Sequence, residues 1–313
     1  MNKLTVSPSP HIKSGQTTKR IMWLVILSLI PSGIAGICIF GISSLNVIVF
    51  SILSCIFTEA LFLKFRNKDP KAVLDGSAIL TGLLLAYNLP PDTPFWIPVV
   101  GGMVSIILGK QIFGGLGQNI FNPALVGRAF LQISWPVYMT TWKNPRWWPD
   151  AASGATPLAK EGSAHFTYMD LFLGNRSGCI GEVCVIVLII GAAFLLFTKI
   201  ISLHIPLSFI GTVGIITWVF GKEGFFRGDF LFNILAGGII LGAFFMATDY
   251  VTSPLTKKGK IVFGIGCGVL TAIIRLRGGY PEGVCYSILF MNAAVPIIDR
   301  FTKVKKYGFV KKD

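Results

Sequence analysis

The chain reads as an all-α polytopic membrane protein of about ten transmembrane helices, and three observations carry that reading. Hydrophobic residues make up 53% of the 313 residues and charged ones 13%, with a mean hydropathy of +0.69, outside the usual range of water-soluble domains. Several apolar runs reach the roughly 20 residues that a helix needs to cross about 30 Å of hydrocarbon. Basic residues also gather in alternate connecting segments.

Taken in order, the apolar runs place spans at 21–41, 44–63, 72–89, 95–109, 119–138, 180–198, 203–220, 230–248, 261–276 and 283–299. The first follows a basic start but lacks a small-residue cleavage site and runs on into more apolar sequence, so it reads as a retained span. The fourth and ninth are short, and the turns after them, GGLGQN and GGYPEG, make poor helix. Non-helical backbone at membrane depth survives only where protein or a cavity satisfies it, so both turns are expected inside the fold. The organisation is a tail at 1–20, five spans over 21–138, a long loop at 139–179, five spans over 180–299 and a tail at 300–313.

A net charge of +14 would also suit a nucleic-acid binder, but the positions of the charges exclude that class. If spans alternate sides, both termini, the 64–71 and 257–260 loops, Lys110 and Lys199 share one face, with 19 Lys or Arg. The other face holds Lys143, Arg146, Lys160, Arg176, Lys222, Arg227, Arg275 and Arg277, balanced by 8 acids. Basic loops resist translocation, which puts both termini in the cytoplasm and the 139–179 loop outside, with membrane lipid as the surroundings. The six cysteines and three histidines show no CxxC and no ligand spacing, so no metal site is expected.

A faint internal repeat relates the two halves. LTGLLLAYNLPPDTP, GGMVSIIL and FGGLGQNIFNPALVGRAF are followed later by ILGAFFMATDYVTSP, GCGVLTAII and RGGYPEGVCYSILFMNAAVPIIDRF. Five spans per half is an odd number, so the halves lie antiparallel, an inverted duplication that places a binding site or pathway near the pseudo-two-fold axis.

Ionisable groups in or at the ends of spans come next, because each is costly in lipid. Glu59, Asp75, Asp249 and Asp299 fall at cytoplasmic ends of spans, where they could gather a hard cation or pass protons, or could merely cap helices. Arg128 lies deeper and is expected to pair with a carbonyl or acid inside the protein. The NPA at 122–124 is shared with water channels, but ten spans do not fit that architecture. Trp142, Trp147 and Trp148 open the long loop, either as an interfacial aromatic belt or as flanks for a planar ligand. Then comes DAASGATPLAK, where Gly154 and Ala155 leave the backbone bare and Pro157 disfavours helix at Thr156.

Asp150, Ser153, Gly154, Ala155 and Thr156 resemble the motif DxxSGAT, on whose threonine a dedicated flavin transferase places FMN through a phosphoester. With FGGLGQNIFNPALVGRAF, FFMATDYVTSP, YPEGVCYSILFMN and PIIDRF, the chain resembles, from about Glu59 to Phe301, a family of two homologous membrane proteins. These are the RnfD component of the Rnf ion-translocating ferredoxin:NAD oxidoreductase and the NqrB component of the Na⁺-translocating NADH:quinone reductase. The absence of most of the latter's long N-terminal extension favours the Rnf member. The resemblance implies a urea-transporter-like fold, covalent FMN on Thr156 and a second, noncovalent flavin such as riboflavin. It also implies an ion pathway through Glu59, Asp249 and Asp299, a prokaryotic plasma membrane, and the other subunits of a six-subunit type assembly as partners.

The implied function is a flavoprotein component that couples electron transfer between ferredoxin and NAD to Na⁺ or H⁺ translocation, without catalysis of its own. The chain has no CxxC cluster and no dinucleotide GxGxxG fingerprint, so NAD and ferredoxin fall to partner subunits. Two alternatives stand beside it: the quinone-reductase homologue, and a secondary transporter or channel without flavin.

Overall fold

The computed structural model describes residues 17–67, 70–148, 158, 166–221, 224–278 and 283–303, and it is helical. Thr17 starts the first helix: its side chain accepts from the Arg20 amide at 3.2 Å and opens α1, Thr18–Phe40. Gly41 alone joins it to α2, Ile42–Phe65. Its φ of 90° is unfavourable for other residues, and a Cβ there would press on Arg146. Leu27, Ile34, Val49, Leu53 and Phe57 are exposed along α1 and α2. So continuous an apolar surface is what lipid covers.

A 3₁₀ turn at Pro70–Asp75 leads into α3, Ser77–Tyr87, and then α4, Trp96–Ile106, which widens into a π turn at Ile107–Gln111. Helix α5, Pro123–Ser134, is followed by the short α6, Pro136–Thr140. The NPA tripeptide is the start of α5: Asn122 accepts from the Ala124 amide at 3.1 Å and Pro123 takes the first-turn position, where its missing N–H costs nothing. After α7, Tyr168–Leu173, come α8, Val185–Phe197, and α9, His204–Val219. Helix α10, Phe230–Leu235, and α11, Ile239–Leu241, precede a second π turn at Gly242–Met246. Helices α12, Lys257–Arg277, and α13, Val284–Phe301, end the fold.

Nine of the ten sequence-derived spans have a counterpart helix or helix-plus-turn. The span placed at 230–248 is divided, because Ala236 is extended and Gly237 takes a φ of 70°, so the helix cannot run through. Among the described residues four helices, α1, α2, α12 and α13, are long and apolar enough to cross a membrane. With 11 residues, α3 covers only about 16 Å at 1.5 Å per residue, half a bilayer.

Helix α2 packs on α3 and α4, and α4 on α5; in the second half α9 packs on α12, and α12 on α13. The halves meet where α1 lies on α8 and α5 on α13. Small residues set the closest approach: a Cβ at Gly82 would sit 2.7 Å from the Ile52 Cα, and the Ser51 hydroxyl donates to the Gly82 carbonyl at 2.8 Å.

A helix that stops half-way leaves carbonyls that lipid cannot satisfy. Residues 179–181 satisfy those beyond α3: the amides of Gly181 and Ile180 donate to the carbonyls of Tyr87 and Leu89, both at 3.1 Å. In the second half the Arg275 guanidinium donates to the carbonyls of Asn233 and Ala236 at 2.6 and 3.0 Å. Arg275 therefore belongs to the interior, as do Arg176 and Lys110, which are 1% exposed. This corrects the sequence reading, which counts all three among the charges of the two membrane faces; without them the Lys and Arg of those faces divide 18 to 6.

The GGLGQN turn departs from its expected place. Gly114, Gly115 and Gly117 all take positive φ and fold it tightly, but Leu116, Gly117 and Gln118 lie on the surface. Only Gly115 and Asn119 are buried, because the tight turn turns its tip away from the helices. In GGYPEG, residues 279–282 lie outside the described residues.

Candidate functional site: a cavity between the halves

The cytoplasmic-end carboxylates predicted from sequence sort into three environments. Glu59, 4% exposed on α2, faces the π turn of the first half. Lys110 Nζ reaches Glu59 Oε1 and Oε2 at 2.6 and 2.8 Å and Ser77 Oγ at 2.6 Å, so its three N–H donors are all used. Gln111 adds a bond to Glu59 Oε1 at 3.1 Å. Two consecutive residues reach one carboxylate because they sit on a π turn, a local widening that often marks a functional position. Asp75 extends the chain of bonds, accepting from the Ser77 hydroxyl at 2.6 Å and its amide at 2.8 Å.

Two members of this network, Ser77 and Lys110, line a largely apolar cavity of about 80 Å³. Ser77, Lys110, Asn119 and Asn122 line one side; Phe244, Thr248 and Asp249 line the other, beside the second π turn. The volume suits several waters or a hydrated small ion. Asp249 accepts from the Thr252 hydroxyl at 3.1 Å and from the backbone amides of residues 250–252. Of the sequence-predicted carboxylates Asp249 lines this cavity, while Glu59 and Asp75 stand behind it, bonded to its lining residues Lys110 and Ser77. Asp299 stands apart, accepting from the Leu255 amide at 3.2 Å just ahead of α12.

Arg128 is 4% exposed and donates to Asn88 Oδ1, a carbonyl oxygen inside the protein as expected. Asn88 in turn donates to the Leu84 carbonyl at 2.7 Å and Asn122 to the Met246 carbonyl at 3.2 Å. The loss of helix at the centre of each half is thereby converted into side-chain bonds, of which the Asn122 bond joins the halves.

Asp150, Ser153, Gly154, Ala155 and Thr156 lie outside the described residues, which resume on either side of the motif at Trp148 and Leu158. The indoles of Trp147 and Trp148 both donate to Asn175 Oδ1, at 2.7 and 2.8 Å, and Trp148 stacks on Phe166 with centroids 6.1 Å apart. Trp142 is buried. Asn175 also donates to Asp170, whose carboxylate closes a capping box with Thr167 at the start of α7. These bonds hold the Asp170 carboxyl below the usual carboxylate range, the Thr167 side chain contributing most and Asn175 next. The two ends of the loop are therefore pinned together. Leu158 lies against the second half: a Cβ at Gly237 would come within 2.7 Å of Leu158 Cδ1 and 2.8 Å of Arg275 Nη2.

Comparison with known proteins now identifies the family, because the family model described as NQR2, RnfD, RnfE matches residues 5–308. The chain belongs to the NQR2/RnfD/RnfE family. It is 49% identical to the D component of the proton-translocating ferredoxin:NAD(+) oxidoreductase complex of Clostridium ljungdahlii, with 98% of this chain and 97% of that protein covered. Against the D component of the Na(+)-translocating ferredoxin:NAD(+) oxidoreductase complex of Acetobacterium woodii it is 47% identical, covering 98% and 96%. Identity falls to 38% with the D component of the ion-translocating oxidoreductase complex of Stutzerimonas stutzeri, over 92% of each chain. For a member of the NQR2/RnfD/RnfE family, the near-equal likeness to relatives named for different ions means that overall similarity does not select the ion.

Sequence reading misses Lys110 as a site residue. It stands there among the loop charges because hydropathy registers a lysine between apolar runs as a boundary and carries no trace of Glu59, fifty-one residues earlier. A signal is present: Lys110 follows at once on the apolar run 95–109, with no polar segment before it.

Proposed function

We propose that this chain is the D-type membrane flavoprotein of an Rnf-type complex, in which electron transfer between ferredoxin and NAD drives Na⁺ or H⁺ across the membrane. The observation that carries the reading is the likeness over nearly the whole chain to proteins named for that reaction, at 49 and 47% identity. FMN esterified to Thr156, in the DxxSGAT context of Asp150, Ser153, Gly154 and Ala155, is the redox group of this proposal, with riboflavin as a second, noncovalent one. Such a flavin supplies the step between one- and two-electron carriers.

This chain's own residues have the remaining tasks. Trp147, Trp148, Phe166 and Asn175 fix the base of the flavin-bearing loop, so that the tether starts from a defined place. Asp249 in the cavity between the halves and Glu59 behind Lys110 offer carboxylate oxygens, the ligand type a hard cation takes, and Asp299 lies on the approach beside the start of α12. The proposal puts both termini in the cytoplasm and the loop outside, as the 18-to-6 division of Lys and Arg favours. Partner subunits handle ferredoxin and NAD, and a flavin transferase loads Thr156.

The test is a denaturing gel of protein purified from a host that has the transferase, viewed under ultraviolet light beside Thr156→Ala. A fluorescent band present only in the unsubstituted protein is expected. A dark band would favour the transporter or channel reading.

A further inference from the structure

Glu59, a carboxylate on the proposed ion route, is already occupied by a cation belonging to the protein itself. Three oxygens, Glu59 Oε1 and Oε2 and Ser77 Oγ, converge on Lys110 Nζ at 2.6, 2.8 and 2.6 Å. This is an oxygen seat carrying one negative charge, of the chemistry a small monovalent cation uses. Its occupant is tethered to the π turn at Ile107–Gln111 and forms part of the cavity wall, which Asp249 also lines.

We propose that Lys110 is a built-in competitor cation: its ammonium holds the Glu59–Ser77 seat closed, and a mobile Na⁺ reaches Glu59 only by exchange with it. This inference rests on the cation route proposed above and assigns that route its gatekeeping residue.

Two features set this pair apart from an ordinary structural bridge. An ion pair buried only for stability gains little, since apolar residues of similar volume often serve as well or better. Lys110 and Ser77 line a cavity that Asp249 also lines, so the ammonium side of the pair is not sealed within the apolar core. The lysine also stands on a turn that has a simple alternative. A π turn holds one residue more than an α turn, so its relaxation to regular helix carries Lys110 around the helix axis and off the α2 face. The charged and polar groups around the ammonium are Glu59 and, through Ser77, Asp75, with Gln111 bonded to Glu59 and Asp249 across the cavity.

Removing the ammonium while leaving the seat tests the idea. The full chain is purified with Lys110→Met, and its thermal midpoint is followed as NaCl replaces choline chloride at constant ionic strength. The midpoint of the unsubstituted protein should not respond to the exchange. That of K110M should rise with Na⁺ by about 5 °C at saturation, as expected for a ligand that binds only the folded state. Glu59→Gln in the K110M background should abolish the rise. Lys110→Gln removes the charge but keeps an amide donor toward Glu59, and this milder variant should show a smaller Na⁺ response if K110M does not fold. A K110M midpoint indifferent to Na⁺, a rise that survives E59Q, or, where K110M does not fold, no response in K110Q would overturn the assignment. Ion uptake by the unsubstituted complex, measured in parallel, separates the two levels: if the complex moves no cation the route itself falls, and if it does, only the role of Lys110 is at stake.

Discussion

Asn122, at the start of α5, donates its side-chain amide to the main-chain carbonyl of Met246 in the second π turn, at 3.2 Å. One residue therefore caps a helix of the first half and ties it to the irregular backbone of the second. Asn122→Asp keeps the capping oxygen and loses the amide donor, whereas Asn122→Ala loses both. We expect Ala to cost about 2 kcal/mol and Asp about half of that, read from thermal midpoints of the purified protein.

Arg275 caps the carbonyls of Asn233 and Ala236 with two nitrogens of one planar group. Arg275→Met should destabilise by about 3 kcal/mol, because two buried carbonyls lose charged donors. Arg275→Lys should recover less than half, since one ammonium cannot copy the fork. Chemical unfolding in detergent measures both.

Close packing of α2 and α3 depends on a bare backbone at Gly82. Gly82→Ala would place a methyl 2.7 Å from the Ile52 Cα and 2.9 Å from the Ser51 carbonyl oxygen, and should cost about 2 kcal/mol. Gly211, within α9, has nothing within 4 Å of its would-be Cβ. Gly211→Ala should be neutral or stabilise by up to about 1 kcal/mol, through helix propensity alone. Equal effects of the two on the thermal midpoint would refute this role for Gly82.

At the base of the long loop, stability should depend on acidity through Asp170. Its carboxyl titrates lower in the folded chain than in the unfolded one, so the ionised form is favoured by folding. The contribution is fully present above the ordinary carboxylate value of 3.8 and disappears as pH falls through the depressed folded value. Fluorescence of Trp147 and Trp148, which share Asn175 with Asp170, should therefore change below about pH 4 in the parent protein. With Asp170→Asn that acid transition should vanish.

Much of this architecture is legible in the sequence, because lipid imposes a length and an apolarity that composition records directly. Spans such as 21–41 and 283–299 reappear as α1 and α13 almost residue for residue. What escapes are features set by partners distant in sequence. Lys110 and Arg176 read as loop charges, yet their side chains are buried within the fold. The break in 230–248 turns on the backbone angle of Gly237, where a Cβ would also meet Leu158 and Arg275. Helix α7 is six residues long, too short for any periodicity to show, and rests on the Thr167–Asp170 capping box. The carboxylates Glu59 and Asp249 stand out by their rarity within apolar runs. That Asp249 shares a cavity with Lys110, the partner of Glu59, appears only in the folded chain.

The most direct test of covalent flavin on the long loop is the intact mass of the protein from a host that carries the transferase, followed by fragmentation of the peptide spanning residues 147–160. The expected mass exceeds that of the polypeptide by one FMN less one water, located on Thr156 and absent from Thr156→Ala. A mass equal to the amino-acid sum, or the same addition at another residue, would contradict it.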